Sequence, residues 1–245
     1  PSVEWVVCGA SGAHMPTCGE WERVGLTESY DDVDYISCHA YYQERDGDLG
    51  SFLASAVDMD HFIDTVIDTA DHVRSVKRSE KRINISFDEW NVWYVDRYQN
   101  EEKLTGLDNW PVAPRLLEDV YSAADAVVFG NLMISLLKHA DRVTSASLAQ
   151  LVNVIAPIMT APGGPAWRQT TFFPFATTSR LATGSAPEVT LDPPAYDTAA
   201  YRTAPLIDDV ATPAAAPRRT AILLVTRSTT HPAPVTPTPR PPAVV

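Results

Sequence analysis

Several classes of protein are excluded by what this sequence of 245 residues lacks. It has no uninterrupted apolar run approaching the roughly 20 residues that a membrane-spanning helix needs. It has no surplus of basic charge, since 31 Asp and Glu against 19 Lys and Arg give a formal net charge of −12 at pH 7. Nucleic acids and anionic membranes are bound by clustered Lys and Arg, so we expect neither as a partner.

Cysteine is scarce, and the usual signatures of metal and cofactor sites are absent. The three cysteines, Cys8, Cys18 and Cys38, cannot all pair, and none forms a CxxC. The six histidines show no HExxH or HxH spacing, and no GxGxxG or GKS/T pattern accompanies the glycines. The sequence therefore predicts neither a disulfide scaffold, nor a bound metal, nor an organic cofactor.

Both ends of the chain are unusual. It begins at Pro1 with no initiator Met, and a strand-like segment follows at once, so we expect that an upstream part is missing. The last fifteen residues, HPAPVTPTPRPPAVV, contain six prolines. Proline supplies no backbone N–H and fixes φ, so residues 231–245 are predicted to form a disordered tail.

What the sequence does contain is an alternation of strand-like and helix-like segments, which predicts a parallel sheet covered by helices. The predicted strands are Glu4–Cys8, Val33–Cys38, Ile83–Phe87 and Val143–Leu148. The predicted helices are Glu20–Tyr30, Phe52–Val76, Leu116–Leu137 and Trp167–Leu181. Beyond them, Ala186–Leu191 and Thr220–Val225 read as strands of a small β appendage.

Glu89 is the leading candidate for chemistry. It directly follows an apolar strand and lies beside Trp90, and such a carboxylate can act as nucleophile or acid/base toward a sugar. The alternative is an exposed loop carboxylate or a helix cap. Consecutive strand residues point to opposite sides, so we expect only Glu89 to enter the pocket and Asp88 to supply a supporting hydrogen bond.

Four other residues follow predicted strands and carry sugar-binding chemistry. His39 and Tyr41 share one side of their strand, and a tyrosine hydroxyl can orient a carboxylate. Trp93 offers an aromatic face for a sugar ring, and Gln150 offers an amide for sugar hydroxyls. For each, packing within the core or the loops is the competing interpretation.

The segment ISFDEWNVWY (Ile85–Tyr94) resembles glycoside hydrolase family 51, the α-L-arabinofuranosidases. Three further stretches agree with that family in order and spacing: VVCGASGAHMP (Val6–Pro16), DYISCHAYY (Asp34–Tyr42) and the segment His139–Phe175. The resemblance extends over roughly residues 1–230 and rests on long matches, so it is specific.

The resemblance implies roles for seven residues. Glu89 matches the catalytic nucleophile of a retaining mechanism, at the end of the seventh strand of a TIM barrel. The residues that match substrate-binding positions are His39, Tyr41, Trp93 and Gln150. Asn84 and Asp88 are expected to support Glu89 from behind.

The resemblance also implies an incomplete fold. We expect an α/β chain comprising the C-terminal half of a TIM (β/α)8 barrel, strands five to eight, followed by a small partial β-sandwich appendage. The expected domains are residues 1–180, residues 181–230 and the tail 231–245. The family's acid/base Glu lies in an Asn-Glu motif after strand four. The one Asn-Glu here, Asn100-Glu101, falls after strand seven, so the chain alone is expected to be nearly inactive.

The implied activity is removal of terminal α-L-arabinofuranosyl residues from arabinan, arabinoxylan and their oligosaccharides, without cofactor or metal. The expected partner is thus an arabinose-containing saccharide, with a homo-oligomer possible in the full-length parent and a cytoplasmic location. Two alternatives stay open: a catalytically dead carbohydrate-binding or assembly fragment, and another glycosidase, such as a xylosidase or endoglucanase, on the same barrel.

Overall fold

The structure, a computed structural model, describes residues 3–100, 108, 111–112, 114–184, 186, 191–213, 220–232 and 234–235, without the side chains of 98–100. Within these ranges the helices are α1 (Glu20–Ser29), α2 (Leu49–Leu53), α3 (Ser55–Lys77), α4 (Val95–Asn100), α5 (Ala123–Lys138) and α6 (Phe172–Leu181). The strands are β1 (Val6–Val7), β2 (Tyr35–Tyr42), β3 (Asn84–Val92), β4 (Val143–Leu148), β5 (Ile158–Thr160), β6 (Ala166–Arg168), β7 (Ala195–Thr198), β8 (Arg202–Pro205), β9 (Ile207–Pro213) and β10 (Thr220–Thr226). Among the described helices, none has the length and apolar character needed to cross a membrane.

The main sheet has four strands in the order β1-β2-β3-β4, and every neighbouring pair is parallel. Consecutive strands are joined through helices, with α1 between β1 and β2, α2 and α3 between β2 and β3, and α4 and α5 between β3 and β4. The predicted parallel sheet is confirmed. Because its strands run the same way, their carboxyl ends meet at one edge, where loops can gather functional side chains.

The two faces of the sheet differ in character because side chains alternate along each strand. In β2, Ile36, Cys38 and Ala40 are buried, and the intervening side chains of His39 and Tyr41 are only partly covered. The buried face packs on the helices through aromatic pairs. Trp90 of β3 lies 4.8 Å from Phe129 of α5 between ring centroids.

Several predicted boundaries are wrong, for physical reasons. The strands β2 and β3 continue past Cys38 and Phe87 to Tyr42 and Val92, because ladder pairing to neighbouring strands overrides the polar side chains there. The first strand shrinks from Glu4–Cys8 to Val6–Val7, which pair only with β2.

The helix predictions need three corrections. The segment before Ala123 is not helical, because the side chain of Ser122 caps the amino end of α5 by accepting a hydrogen bond from the backbone N–H of Asp125. The predicted helix Trp167–Leu181 begins instead at Phe172, since Trp167 lies in the hairpin β5–β6. The predicted helix Phe52–Val76 is split between α2 and α3 at Ala54.

The carboxyl-terminal region forms two antiparallel hairpins, β7–β8 and β9–β10. The predicted strand Thr220–Val225 is confirmed as β10. Ala186 and Leu191 lie outside any strand, and residues 187–190 between them are outside the described part of the chain, as is most of the predicted tail.

Arg227 fastens these hairpins to the main sheet's helices. Its fully buried guanidinium pairs with Asp208 of β9 at 2.8 Å and donates to Asn131 of α5 and to the backbone carbonyl of Leu53. Burial alone would raise the pKa of Asp208, but Lys138 and Arg227 outweigh it and hold that pKa below its usual value. One cation therefore links three separate parts of the chain.

Replacing Arg227 with Met should destabilise the chain by about 3 kcal/mol, because it removes one partner from a buried ion pair. The measurement is the midpoint of urea unfolding. The matched control is Arg180→Met, since Arg180 is exposed on α6 and bonds only within its own helix among the contacts of the described residues. An equal effect of the two substitutions would contradict this anchoring role.

Candidate active site

A β-bulge in β3 shapes the candidate site. Ser37 pairs with Ser86, but His39 pairs with Glu89, so β3 advances three residues while β2 advances two. The same extra residue appears against β4, between Phe87 and Trp90. An inserted residue breaks the alternation of side chains and re-aims those beside it.

Because of this bulge, both Asp88 and Glu89 reach the ring of His39. The Nε2 atom of His39 lies 3.0 Å from Oδ1 of Asp88, and its Nδ1 atom lies 3.5 Å from Oε2 of Glu89. The expectation that consecutive residues point to opposite sides is therefore wrong at this position. Asp88 also accepts a hydrogen bond of 2.9 Å from the hydroxyl of Ser37.

Tyr41 holds the carboxylate of Glu89 from β2. Its hydroxyl donates a hydrogen bond of 2.9 Å to Oε2, the same oxygen that faces His39. Burial raises the pKa of Tyr41, and its bond to the Glu89 carboxylate raises that pKa further. The hydroxyl therefore stays protonated, and remains a donor, throughout the pH range in which enzymes work.

The carboxylate of Glu89 is held by Tyr41 and is also accessible to solvent. Its side chain is 47% exposed, whereas that of His39 is 24% exposed. A carboxylate held by a hydroxyl, with an imidazole 3.5 Å away and one side open, can meet an electrophilic carbon or a hydroxyl proton.

Trp93 and Gln150 border the same edge of the sheet. The ring of Trp93 packs edge-on against Tyr41 with 5.1 Å between centroids, and its backbone N–H bonds to the carbonyl of Tyr42. Gln150 follows β4 and is exposed. The structure thus brings Glu89, His39, Tyr41 and Trp93 into one group and places Gln150 on the neighbouring strand's end.

Asn84 does not belong to this group. It begins β3, five residues before Glu89, which corresponds to about 16 Å along a strand at about 3.3 Å per residue. Its backbone N–H bonds to the carbonyl of Asp34 at the amino end of the sheet. The expectation that Asn84 supports Glu89 is wrong, because it lies at the opposite edge.

Sequence reasoning missed Ser37 and Asn91. Ser37 orients both Asp88 and His39, and its position two residues before His39 on the same side of β2 was the available signal. The buried Asn91 donates to the backbone carbonyls of Ala149 and Ile155, at 2.7 and 2.6 Å. It therefore fixes the loop that carries Gln150, and no local pattern indicated a contact across 58 residues.

Further aromatic residues follow Glu89 in the sequence, and two that the structure describes pack or bond within the protein. Trp90 is buried in the core, and the hydroxyl of Tyr94 donates to Asp125 at 2.6 Å. Trp110 lies outside the described residues. Within the described ranges, no group of three or more His, Cys, Asp or Glu side chains is arranged to hold a metal ion.

A carboxylate near the carboxyl ends of parallel strands, held by a tyrosine on which a tryptophan packs, is an arrangement compatible with carbohydrate-active enzymes. The family comparison agrees with this class. Residues 88–237 match the model described as the α-L-arabinofuranosidase C-terminal domain, so the chain belongs to that family. It corresponds to the C-terminal region of the family 51 arabinofuranosidases.

Its relatives are similar over nearly the whole chain. It is 59% identical over 230 residues to the intracellular exo-α-(1→5)-L-arabinofuranosidase of Streptomyces lividans, covering 94% of this chain and 34% of that protein. It is 57% identical to the exo-α-(1→6)-L-arabinofuranosidase of Bifidobacterium longum, covering 86% of this chain and 41% of that one. This chain spans less than half the length of these relatives.

A solved structure is similar as well. The family 51 α-L-arabinofuranosidase from Bifidobacterium longum matches with a TM-score of 0.89 and 48% identity, over 94% of this chain and 47% of that chain. A family 51 arabinofuranosidase from Xanthomonas axonopodis matches at 21% identity with a TM-score of 0.73, which indicates the shared fold alone.

Proposed function

We propose that this chain carries the nucleophile half of a retaining exo-α-L-arabinofuranosidase, with Glu89 as the nucleophile. The observation that carries the proposal is the pair of contacts from Tyr41 and His39 to one oxygen of an otherwise accessible Glu89 carboxylate. The relatives are named as exo-acting α-L-arabinofuranosidases. The substrate class in this proposal is therefore terminal α-L-arabinofuranosyl groups, carried by arabinan, arabinoxylan or their oligosaccharides.

In this mechanism Glu89 attacks the anomeric carbon through Oε1, because Tyr41 and His39 both contact Oε2. The C1–O bond to the leaving group breaks as a second carboxylic acid protonates the departing oxygen. A covalent glycosyl-enzyme results. Water, deprotonated by that second carboxylate, then attacks C1 and releases arabinose with its configuration retained.

The second carboxylate belongs, in this proposal, to a missing half of the barrel. The four parallel strands correspond to strands five to eight, with residues 1–180 as the barrel part and 181–230 as the partial β domain. Support comes from the open sides of the sheet, where Trp5 and Val6 at β1 are 63% and 48% exposed. Large apolar side chains at a sheet edge are expected where another strand normally pairs.

The remaining assignments follow from the same proposal. Trp93 forms a wall of the arabinose pocket, Gln150 and His39 bond sugar hydroxyls, and Asp88 orients His39. The partner is an arabinose-containing saccharide. A cytoplasmic location is supported by relatives named intracellular.

The test uses a fused enzyme, defined as this chain joined to the part of the Streptomyces lividans relative that it does not match. Turnover is measured on 4-nitrophenyl α-L-arabinofuranoside, on the corresponding β-D-xyloside and on a β-glucan. We expect the arabinofuranoside to be hydrolysed, with kcat/KM at least 100-fold lower for the other two substrates. This ratio corresponds to roughly 3 kcal/mol of discrimination in transition-state binding. Preference for the xyloside or the glucan would favour the alternative glycosidases.

Replacing Tyr41 with Phe should lower kcat of the fused enzyme by roughly 10- to 100-fold. The substitution keeps the ring against Trp93 but removes a hydrogen bond to a charged group, which contributes about 1.5–3 kcal/mol. Steady-state kinetics provide the measurement. Tyr35→Phe is the matched control, because Tyr35 lies at the amino end of the same strand. Equal kcat values for the Tyr41 variant and the unmodified enzyme would contradict the orienting role.

A further inference from the structure

A cavity of about 840 Å³ lies next to the Glu89 site and shares Tyr41 with it. Its walls come from the loop after β1, the end of β2, the start of α2 and α3, and the turn between β7 and β8. Its lining includes His14, Tyr41, Tyr42, Gln43, Asp58 and Tyr201. The volume lies in the range of roughly 300–1,000 Å³ usual for small-molecule sites.

Tyr41 connects this cavity to the candidate active site. It lines the cavity and also donates a hydrogen bond to Glu89. A ligand in the cavity would therefore contact the same side chain that holds the Glu89 carboxylate.

Some of the polar groups around the cavity are already engaged. Asp48 caps α2 by accepting from the backbone N–H of Ser51, at 3.0 Å. Arg45 pairs with Asp96 at 2.8 Å. Among the polar lining groups, Asp58, Gln43 and Tyr201 are the ones to consider for a ligand.

Asp58 supplies an acceptor. The hydroxyl of Tyr42 donates to its Oδ2 atom at 3.0 Å. Burial raises the pKa of Asp58, while the Tyr42 bond and the nearby His14 and His61 act in the opposite direction. A partly desolvated carboxyl group of this kind bonds sugar hydroxyls more strongly than one in open water.

Gln43 supplies an unused donor. Its Oε1 atom accepts a hydrogen bond of 3.3 Å from the backbone N–H of Asp96. Its Nε2 atom is buried and has no hydrogen-bond partner among the described residues. Buried amide groups are almost always bonded, so an unpartnered one beside a cavity indicates a place for a ligand hydroxyl or a water.

The charge and the rings around the cavity indicate a neutral sugar. Three carboxyl groups, those of Asp46, Asp48 and Asp58, surround it, against one guanidinium that is already paired. This excess of negative charge disfavours phosphates and acidic sugars. The rings of Tyr41 and Tyr201 offer the aromatic surface on which sugar rings pack.

We propose that this cavity binds a further neutral sugar residue of the same oligosaccharide whose terminal arabinofuranosyl group lies at Glu89. The identity of that oligosaccharide rests on the proposed function; the existence of the site rests on the cavity. Tyr201 comes from the β7–β8 hairpin, so this carboxyl-terminal hairpin contributes directly to substrate binding.

The test is an NMR titration of the 245-residue chain with methyl α-L-arabinofuranoside, whose ring is locked in the furanose form, and with α-(1→5)-arabinotriose. We expect the triose to bind at least about tenfold more tightly than the arabinofuranoside. Asp58→Asn and Tyr201→Phe should each reduce that ratio to within about threefold, without changing the Kd of the arabinofuranoside. Tyr196→Phe is the matched control, because it removes a hydroxyl from the same hairpin outside this cavity, and it should keep the ratio.

Three results would overturn the proposal: equal affinities for the two sugars or no binding of either, a ratio that survives both cavity substitutions, or loss of the ratio in the Tyr196 control. Trp93→Ala separates this proposal from the proposed function, since it should weaken the binding of the arabinofuranoside and of the triose by the same factor and leave their ratio unchanged. If binding of the arabinofuranoside does not depend on Trp93 while triose binding still depends on Asp58, the proposed arabinose pocket fails and the cavity site stands.

Discussion

Replacing Glu89 with Gln in the fused enzyme should lower turnover on an aryl arabinofuranoside by roughly 10⁴- to 10⁶-fold, the loss seen when a member of a covalent catalytic unit is removed. Glutamine keeps the size of the side chain and can still accept from Tyr41, so the substitution removes the nucleophile with little change of packing. The measurement is kcat under saturating substrate, with urea unfolding to establish that the variant folds as the parent does.

Asp88→Asn is the matched control for this substitution. Asp88 is the adjacent carboxylate and contacts the same His39 ring, but the proposed mechanism gives it only an orienting role. Asp88→Asn should lower kcat by no more than about 100-fold, which corresponds to the loss of one charge-assisted hydrogen bond. Glu89→Gly should regain activity when azide is added, because a small anion can attack C1 in place of the carboxylate. Rescue of Asp88→Gly instead would reverse the two assignments.

The 245-residue chain without a fusion partner should be far less active than the fused enzyme. We expect its turnover to fall below that of the fused enzyme by at least roughly 10²- to 10⁴-fold, the contribution of general acid catalysis to leaving-group departure. Poorer positioning of the substrate in an open half-site should add to the loss. Both proteins are assayed on the same aryl arabinofuranoside at equal concentration.

The 245-residue chain without a fusion partner should also self-associate. Val3 and Trp5 are 72% and 63% exposed beside the short edge strand β1, and β4 is exposed along most of its length. Size-exclusion chromatography at rising concentration detects this. A monomeric chain alone with turnover within tenfold of the fused enzyme, lost on Glu89→Gln, would contradict the half-site account.

The sequence was sufficient to predict the parallel sheet, because its signals are local. The alternation of apolar residues in β2 and β3 can be recognised within a few residues of sequence. The same is true of the helical spacing of apolar residues in α3. The prediction that Glu89 is a functional residue rests on its place after an apolar segment and on the resemblance of ISFDEWNVWY to the family.

What the sequence did not predict depends on contacts between distant residues. The bulge that turns both Asp88 and Glu89 toward His39 arises from pairing with β2 and β4, and no residue in the segment requires it. The prediction that Asn84 supports Glu89 relied on their closeness in the sequence. The two residues lie at opposite ends of one extended strand, so they are far apart in space. The anchoring of the hairpins by Arg227 joins residues as much as 174 positions apart, beyond any local pattern.

The most direct test of Glu89 as the nucleophile is covalent trapping. The fused enzyme is incubated with an arabinofuranose analogue carrying an electrophile at C1, then digested, and the labelled peptide is sequenced by mass spectrometry. If Glu89 is the nucleophile, one adduct forms, on the Glu89 side chain, and free arabinose suppresses it by competition. A competed adduct on any other residue, or full turnover by an enzyme whose Glu89 is already Gln, would contradict that role.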